Sequence, residues 1–392
     1  MASEVLDEAY VRLHHWGPEF GGENGLSNHG PMAVEVLSRR GFDDQLGSWL
    51  DRYVARLETL PGEGDPITED NWAEAMGQLG RVGDWIAFFR RAVREAPWPE
   101  VLAAWWPRLL PAIASGATHG LIRTGHAIRT VLGGDTSPEA VDEIAHALGY
   151  WAARAIFVPG LAAPAGDLDA AAALAALPRL PEQSGVIRDR FARLADLPAW
   201  TPSLTTLRAP ATPAEVPAGL DSLVQAGVRQ YATHGYGSPV LLVHVATAPN
   251  AMGHVLPALP RSLWPPSFAA TWAACAAITV AYAPATPRPA PASEVPASEV
   301  PASEVPASEV PAQAAVGPSA ASPAPAASPA PAASPAPAAS PAPADVMARA
   351  AEHGDEHVIK LTDTALDAYA RTADPALLTA AVHCAELIGP PR

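Results

Sequence analysis

The chain has 392 residues, 49% hydrophobic and 17% charged, with a formal net charge of −16 and a pI near 5.1. That acidity argues against a nucleic-acid partner and an anionic membrane surface, which both call for basic faces. Two cysteines, Cys275 and Cys384, stand outside any C-x-x-C spacing, which supports neither a disulfide framework nor a thiolate zinc site, and in their Ala-rich apolar stretches they read as buried, inert thiols.

The opening MASEVLDEAY has neither a basic start nor an apolar core, so no secretory signal is expected and the chain reads as cytoplasmic. "SNHGPMAVEVLSRRG" carries Ser27 and Asn28 ahead of Pro31 and closes on Gly41, a helix with a first-turn proline. Phe42 to Leu60 continues with helical spacing. The stretch from Ile67 to Trp98 predicts one or two helices with Asp70 or Asn71 near the start. Trp98 to Gly134 is helical but interrupted at Pro107, Pro111 and Gly116, and Ser137-Pro138-Glu139 opens a further helix. The β-branched "GSPVLLVHVAT" fits a short strand or a buried helix, and periodicity does not separate the two. The run from Phe268 to Ala283, about sixteen residues, is short for a spanning helix and reads as core.

From Pro284 to Ala344 the composition changes abruptly. "PASEV" repeats four times from Pro291 to Val310, and "AASPAP"-type units follow to Pro343. With almost nothing large to bury, this stretch is expected to be a disordered, partly polyproline tether. A loop of this length costs little extra closure entropy, because the cost grows logarithmically, so the chain beyond it can return to the same core. Past it, Asp345 is placed to cap a helix ending at Gly354, Asp355 to cap the next, and Asp374-Pro375 to open a third. The expected architecture is all-α: a helical core over 1–283, a tether over 284–344, and helices over 345–392 that dock back onto the core.

Four of the twelve histidines sit in suggestive settings. His29 stands at a helix entrance in "LSNHGPM". His119 follows small residues in "SGATHGLIR". His244 lies in the apolar "LLVHVAT", and His357 lies near the start of the post-tether helix. Each reads singly as a structural histidine. Together they suggest a shared metal, which would satisfy several buried imidazoles at once. Lys360 is three residues after His357 and shares its helical face. Burial would lower its pKa, and the neutral amine could then take up carbon dioxide as a carbamate, an anionic oxygen ligand.

His353-Gly-Asp-Glu356-His357 also spells H-x-x-E-H, a zinc-peptidase pattern. Gly354-Asp355 reads instead as the end of one helix and the cap of the next, which would misalign the two histidines. No G-x-S-x-G, P-loop or dinucleotide G-x-G-x-x-G is present.

"HHW…F…NHGPM", "ITEDNW…LG…W…FF", "THGLIRTGHAIR", "VHVATAPNAM" and "DEHVIKLTDTAL" resemble, in order and approximate spacing, the questin oxidase-like family. The resemblance covers most of the chain outside the tether. It implies a largely helical oxygenase that opens or rearranges rings of aromatic polyketides such as anthraquinones, with dioxygen and a small aromatic substrate as partners. It carries two mechanisms. One is a non-haem Fe(II) site in which His29, His119, His244, His357 and a carboxylated Lys360 are the ligands. The other is a metal-free, NADPH-dependent Baeyer–Villiger oxidation, which the missing dinucleotide motif weakens. In the first, His234 is the alternative to His244 and His353 a donor behind the ligands. Trp16, Trp72, Trp85 and Trp105 are candidates to line a pocket for flat rings. A reading from another class is a helical binding protein with a flexible arm.

Overall fold

The structure is a computed structural model, and it describes residues 4–19, 27–291 and 341–391. In chain order, α1 (Glu4–Leu13) leads to β1 (Trp16–Glu19), then α2 (Gly30–Arg39), α3 (Asp43–Val54) and β2 (Leu57–Thr59). Next come α4 (Trp72–Ala75), α5 (Val82–Glu95), α6 (Trp98–Leu109), α7 (His119–Leu132) and α8 (Pro138–Ala153). The short α9 (Ala170–Ala176), α10 (Ile187–Ala192) and α11 (Trp200–Leu204) precede α12 (Val216–His234), α13 (Pro239–Leu242), α14 (His244–Val255) and α15 (Trp264–Tyr282). The C-terminal helices are α16 (Pro343–His353), α17 (Glu356–Thr372) and α18 (Pro375–Leu387).

The expected all-α class holds. The helix starts follow local chemistry: the side chains of Ser137, Asp355 and Asp374 accept backbone N–H groups at the N-termini of α8, α17 and α18. Gly354, with a φ of 78°, closes α16 in the left-handed conformation, so His353 and His357 stand on different helices and H-x-x-E-H is not one continuous motif. Three details differ from expectation. Asp345 is not the cap of α16, because the helix starts two residues earlier with Pro343 in its first turn. Pro107 does not interrupt the chain as expected but lies inside α6, whereas "GSPVLLVHVAT" takes the helical one of its two readings, as α13 and the start of α14. A two-stranded antiparallel sheet, with Trp16 opposite Thr59 and Glu19 opposite Leu57, interrupts the helices.

One core runs through the described residues, from Leu6 on α1 to Ile388 beyond α18. Helix α15 is buried on nearly every side, as its uniformly apolar and small residues require. Helix α7 packs against α2, α8 and α14, and α17 packs against α2, α12, α14, α16 and α18. The helices on the far side of the Pro/Ala/Ser-rich stretch therefore belong to the same core. Most of that stretch, 292–340, lies outside the described residues. Its first residues pack back on the core: the Arg288 amide donates to the Thr233 carbonyl at 2.9 Å, and its guanidinium lies 3.7 Å from the centre of the Tyr236 ring.

Candidate metal centre

His29, His119, His244, His357 and Lys360 meet in the interior, at the starts of four helices. His29 is the residue immediately before α2, His119 and His244 are the first residues of α7 and α14, and His357 lies in the first turn of α17. Each approach depends on a local device. A Cβ on Gly30 would fall 2.5 Å from Leu13 Cδ2 and 2.8 Å from Tyr53 Cε1, so the chain beside His29 admits only glycine. Before His119 three consecutive residues, Gly116, Ala117 and Thr118, have φ of 55°, 56° and 68°. The left-handed conformation costs non-glycine residues roughly 1–2 kcal/mol each, and strain of this kind gathers at functional sites. Gly120, one residue on, packs against Trp151 with no room for a Cβ, which would lie 2.5 Å from the indole.

The ring centres of His29 lie 4.5 Å from those of His119 and 4.6 Å from those of His357, and His119 and His244 are 4.5 Å apart. Ligand atoms of His29, His119 and His357 lie within 4.8 Å of one another. Three outer nitrogens are held from behind. His29 Nδ1 bonds Glu19 Oε1 at 2.7 Å, His244 Nδ1 bonds the Leu241 carbonyl at 3.0 Å, and His119 Nδ1 bonds the Gly116 carbonyl. This is the arrangement that orients metal-bound imidazoles. His29 Nε2 and His357 Nε2 are buried with no hydrogen-bond partner among the described residues, and His357 Nδ1 makes only long contacts, 3.5 Å to Asp355 Oδ1 and 3.7 Å to Glu356 Oε1.

The contact between His119 and His244 is the most telling. A carbonyl only accepts, so each Nδ1 must carry the proton and each neutral ring then presents a bare lone pair at Nε2. Those two Nε2 atoms face each other at 3.1 Å. Two lone pairs share that space only with a cation between or beside them, which either the protonated Lys360 amine, 3.5 Å from His119 Nε2, or a bound metal ion supplies. Protonating one ring is opposed by burial, which pushes both pKa values well below the ordinary histidine value; His29 adds to this for His119, and Lys360 for His244. A separation of 3.1 Å suits two nitrogens bound at adjacent positions to one ion, each at ~2.1 Å. His29 is likewise pushed well down, by burial first and then by Lys360 and His357.

Lys360 is 1% exposed, and its Nζ lies 3.5 Å from His119 Nε2. Burial lowers its pKa to about 8, against the opposing pull of Glu356, Asp355 and Glu19. Behind the rings lies an acidic fringe. Arg56 bridges Glu19 Oε2 at 2.8 Å and Glu356 Oε1 at 3.0 Å, and the Tyr53 hydroxyl donates to Glu19 Oε1 at 2.7 Å. A cleft of about 270 Å3 lined by Trp49, Tyr53 and Arg56 reaches the outer side of this fringe.

The remaining candidates lie elsewhere. His234 Nδ1 bonds Thr233 Oγ1 at 2.7 Å and does not join the cluster, which leaves His244 as the fourth imidazole. His353 spends Nε2 on the Ile388 carbonyl at 2.8 Å and Nδ1 on the Asp355 amide at 3.4 Å, not on any of the four imidazoles. Trp85 and Trp72 each meet Trp105 at 5.7 Å in a cluster with Phe88 and Phe89, which is core between α5 and α6. Trp16 is half-buried on β1. Glu19, Tyr53 and Arg56 were not visible as site residues from the sequence. Their only signal was the closeness of Glu19 to His29 along the chain.

A scan against protein-family models finds no match to the chain, and a search of curated proteins finds none either. No helix among the described residues is long and apolar enough to cross a membrane.

Proposed function

We propose that the chain is a non-haem iron oxygenase that oxidises or cleaves a ring of an aromatic polyketide, with His29, His119, His244, His357 and Lys360 as the metal-binding set. The observation that supports the metal is the convergence of four buried imidazoles, with ligand atoms of His29, His119 and His357 within 4.8 Å of one another and the Nε2 atoms of His29 and His357 without a hydrogen-bond partner. Iron and the polyketide substrate come from the sequence resemblance. An imidazole-rich site also accepts other transition metals. Bound iron would supply dioxygen activation, which no side chain of the set can perform alone.

The protein's own groups have defined tasks on this reading. Glu19, Gly116 and Leu241 fix three imidazoles in the tautomer that turns Nε2 inward. Burial keeps His29, His119 and His244 neutral. The neutral Lys360 amine attacks the carbon of carbon dioxide and then releases a proton, which leaves an N-carboxylate. A cationic side chain thereby becomes an anionic oxygen donor. The enclosing helices exclude water from the reacting groups.

Metal analysis of the purified protein is the first test. About one iron per chain, lost in His119→Ala and Lys360→Ala, together with dioxygen uptake on a polyhydroxylated anthraquinone, is the expected result. A metal-free protein that oxidises NADPH with the same substrate would replace this reading by the Baeyer–Villiger one. Neither metal nor turnover would leave a helical binding protein.

A further inference from the structure

Each helix that brings an imidazole to the centre also contributes to one partly buried ion-pair network farther along its length, with the Asp363 and Glu35 carboxylates inside it and Arg39 and Arg40 reaching in from its rim. Helix α2 and the residue after it supply Glu35, Arg39 and Arg40, α7 supplies His126 and Arg129, α14 supplies Asn250 and His254, and α17 supplies Asp363, Thr364 and Asp367. Asp363 is its hub. Its carboxylate accepts from Arg39, from Arg40 Nε at 2.7 Å and from Arg129 Nη1 at 2.9 Å, and its carbonyl accepts from Arg40 at 3.1 Å. Glu35 accepts from Arg129 Nε at 2.8 Å and pairs with His126 at 2.7 Å. Arg129 reaches His254 at 3.1 Å, and Asn250 donates to Thr364 at 3.3 Å. Asp363 is 1% exposed and Glu35 2%.

We propose that Asp363 is a positioning residue: through Arg39, Arg40 and Arg129 it sets the rotation and depth of α17, and with them the placement of His357 and Lys360 against His29 and His119. This rests on the metal reading above. Asp363 lies three residues after Lys360, so the carboxylate that fixes the helix and the amine that enters the site are nearly in line along it. The chain gives α17 little help from its N-terminal side, because the residues that carry the other imidazoles lie more than a hundred positions upstream. Non-covalent contacts must set its register, and a carboxylate gripped from two other helices resists both rotation and sliding. Removing one member of such a group leaves the others buried without their partner, so the helix must shift or admit water.

The test uses the full chain, with Co(II) as the probe and its visible ligand-field spectrum as the readout. Asp363→Asn is expected to bind Co(II) at least about tenfold more weakly, as when a group behind a ligand is lost, and to change the band positions of the Co(II) that does bind. Asp221→Asn breaks an exposed pair between α12 and Arg371 on the same helix and is expected to bind like the wild type. Asp363→Glu, which keeps the charge, should recover most of the affinity. A purely structural role would lower the melting temperature but leave the spectrum of the folded fraction unchanged. That result, or wild-type affinity in Asp363→Asn, overturns the proposal. Should Asp363→Asn not fold, Arg40→Gln removes one arm of the hub, and an unchanged spectrum there overturns it equally. A wild-type chain that binds no Co(II) overturns the metal reading itself, and the positioning role falls with it.

Discussion

Replacing Lys360 by methionine should stabilise the metal-free protein at neutral pH. The two side chains are similar in length and unbranched, so the change removes a buried charge and leaves little void. The fall of the lysine pKa from 10.5 to about 8 corresponds, at 1.36 kcal/mol per pH unit, to roughly 3 kcal/mol. The sign follows from proton binding. Below pH 8 both native and unfolded chains hold the proton, and the native state carries a buried cation. Between about pH 8 and 10.5 only the unfolded chain holds it, so native stability rises with pH. Above 10.5 both are neutral. Lys360→Met should therefore gain roughly 3 kcal/mol at pH 7, and the gain should shrink toward zero by about pH 10.5. Urea unfolding of chelator-stripped, carbon-dioxide-free protein across pH 6–11 measures it. A variant that is less stable at pH 7, or a difference that does not change with pH, would refute the claim that this lysine is held against a desolvation penalty.

Three further outcomes follow from the same geometry. Glu19→Gln keeps an acceptor for His29 but loses the negative charge, and metal affinity measured by competition with a chelator should fall about 10- to 100-fold. Gly120→Ala forces a Cβ against the Trp151 ring and should cost about 1–3 kcal/mol in urea unfolding; a neutral result would mean that α7 and α8 separate more easily than their packing indicates. At low pH the buried acids should report. Burial raises the Glu35 pKa, but Arg129 and His126 outweigh it and hold it at about 2, below the ordinary 4.5. Its contribution is present above pH 4.5 and lost as pH falls toward 2. Acid unfolding should therefore begin in that window, and the dependence there should be shallower in Glu35→Gln.

The elements that were legible in the sequence are those with local causes. Ser137, Asp355 and Asp374 cap helices because a short side-chain oxygen beside a free N–H does so almost anywhere. The Gly354 break, which separates His353 from His357, is likewise a one-residue effect. The sheet was not legible, since strands of four and three residues are too short for alternation to register. "VLLVHV" has β-branched residues, but from Leu242 on it is buried, and packing overrides that preference. Within the site, the imidazoles stood out because polar rings among glycine, alanine and valine need partners. Their supports did not stand out. Glu19 reaches His29 only through the strand pair, and Asp363 meets Arg129 across 234 positions, a pairing that no local pattern encodes.

The charge balance of the centre gives Lys360 its sharpest test. Four imidazoles bring no negative charge, and they sit at helix N-termini, whose partial positive charge disfavours a cation. Glu19 and Glu356 lie nearby, but both are bonded to Arg56, which offsets much of their field. Asp355, 3.5 Å from His357 Nδ1, spends Oδ1 on the His357 and Val358 amides, so a divalent ion held there lacks a close, unshared anion unless the lysine supplies one. Carboxylation of Lys360 would do so, and the lowered pKa keeps a useful fraction of the amine nucleophilic near pH 8. Ion uptake by the wild type should then depend on bicarbonate: weak in buffer purged of carbon dioxide and stronger as bicarbonate is restored. Lys360→Met should bind weakly and ignore bicarbonate. Isothermal titration with Co(II) at several bicarbonate concentrations separates the cases. If the wild type binds equally tightly with and without carbon dioxide, the anion is not a carbamate, and Glu19 or Glu356 must leave Arg56 to take its place.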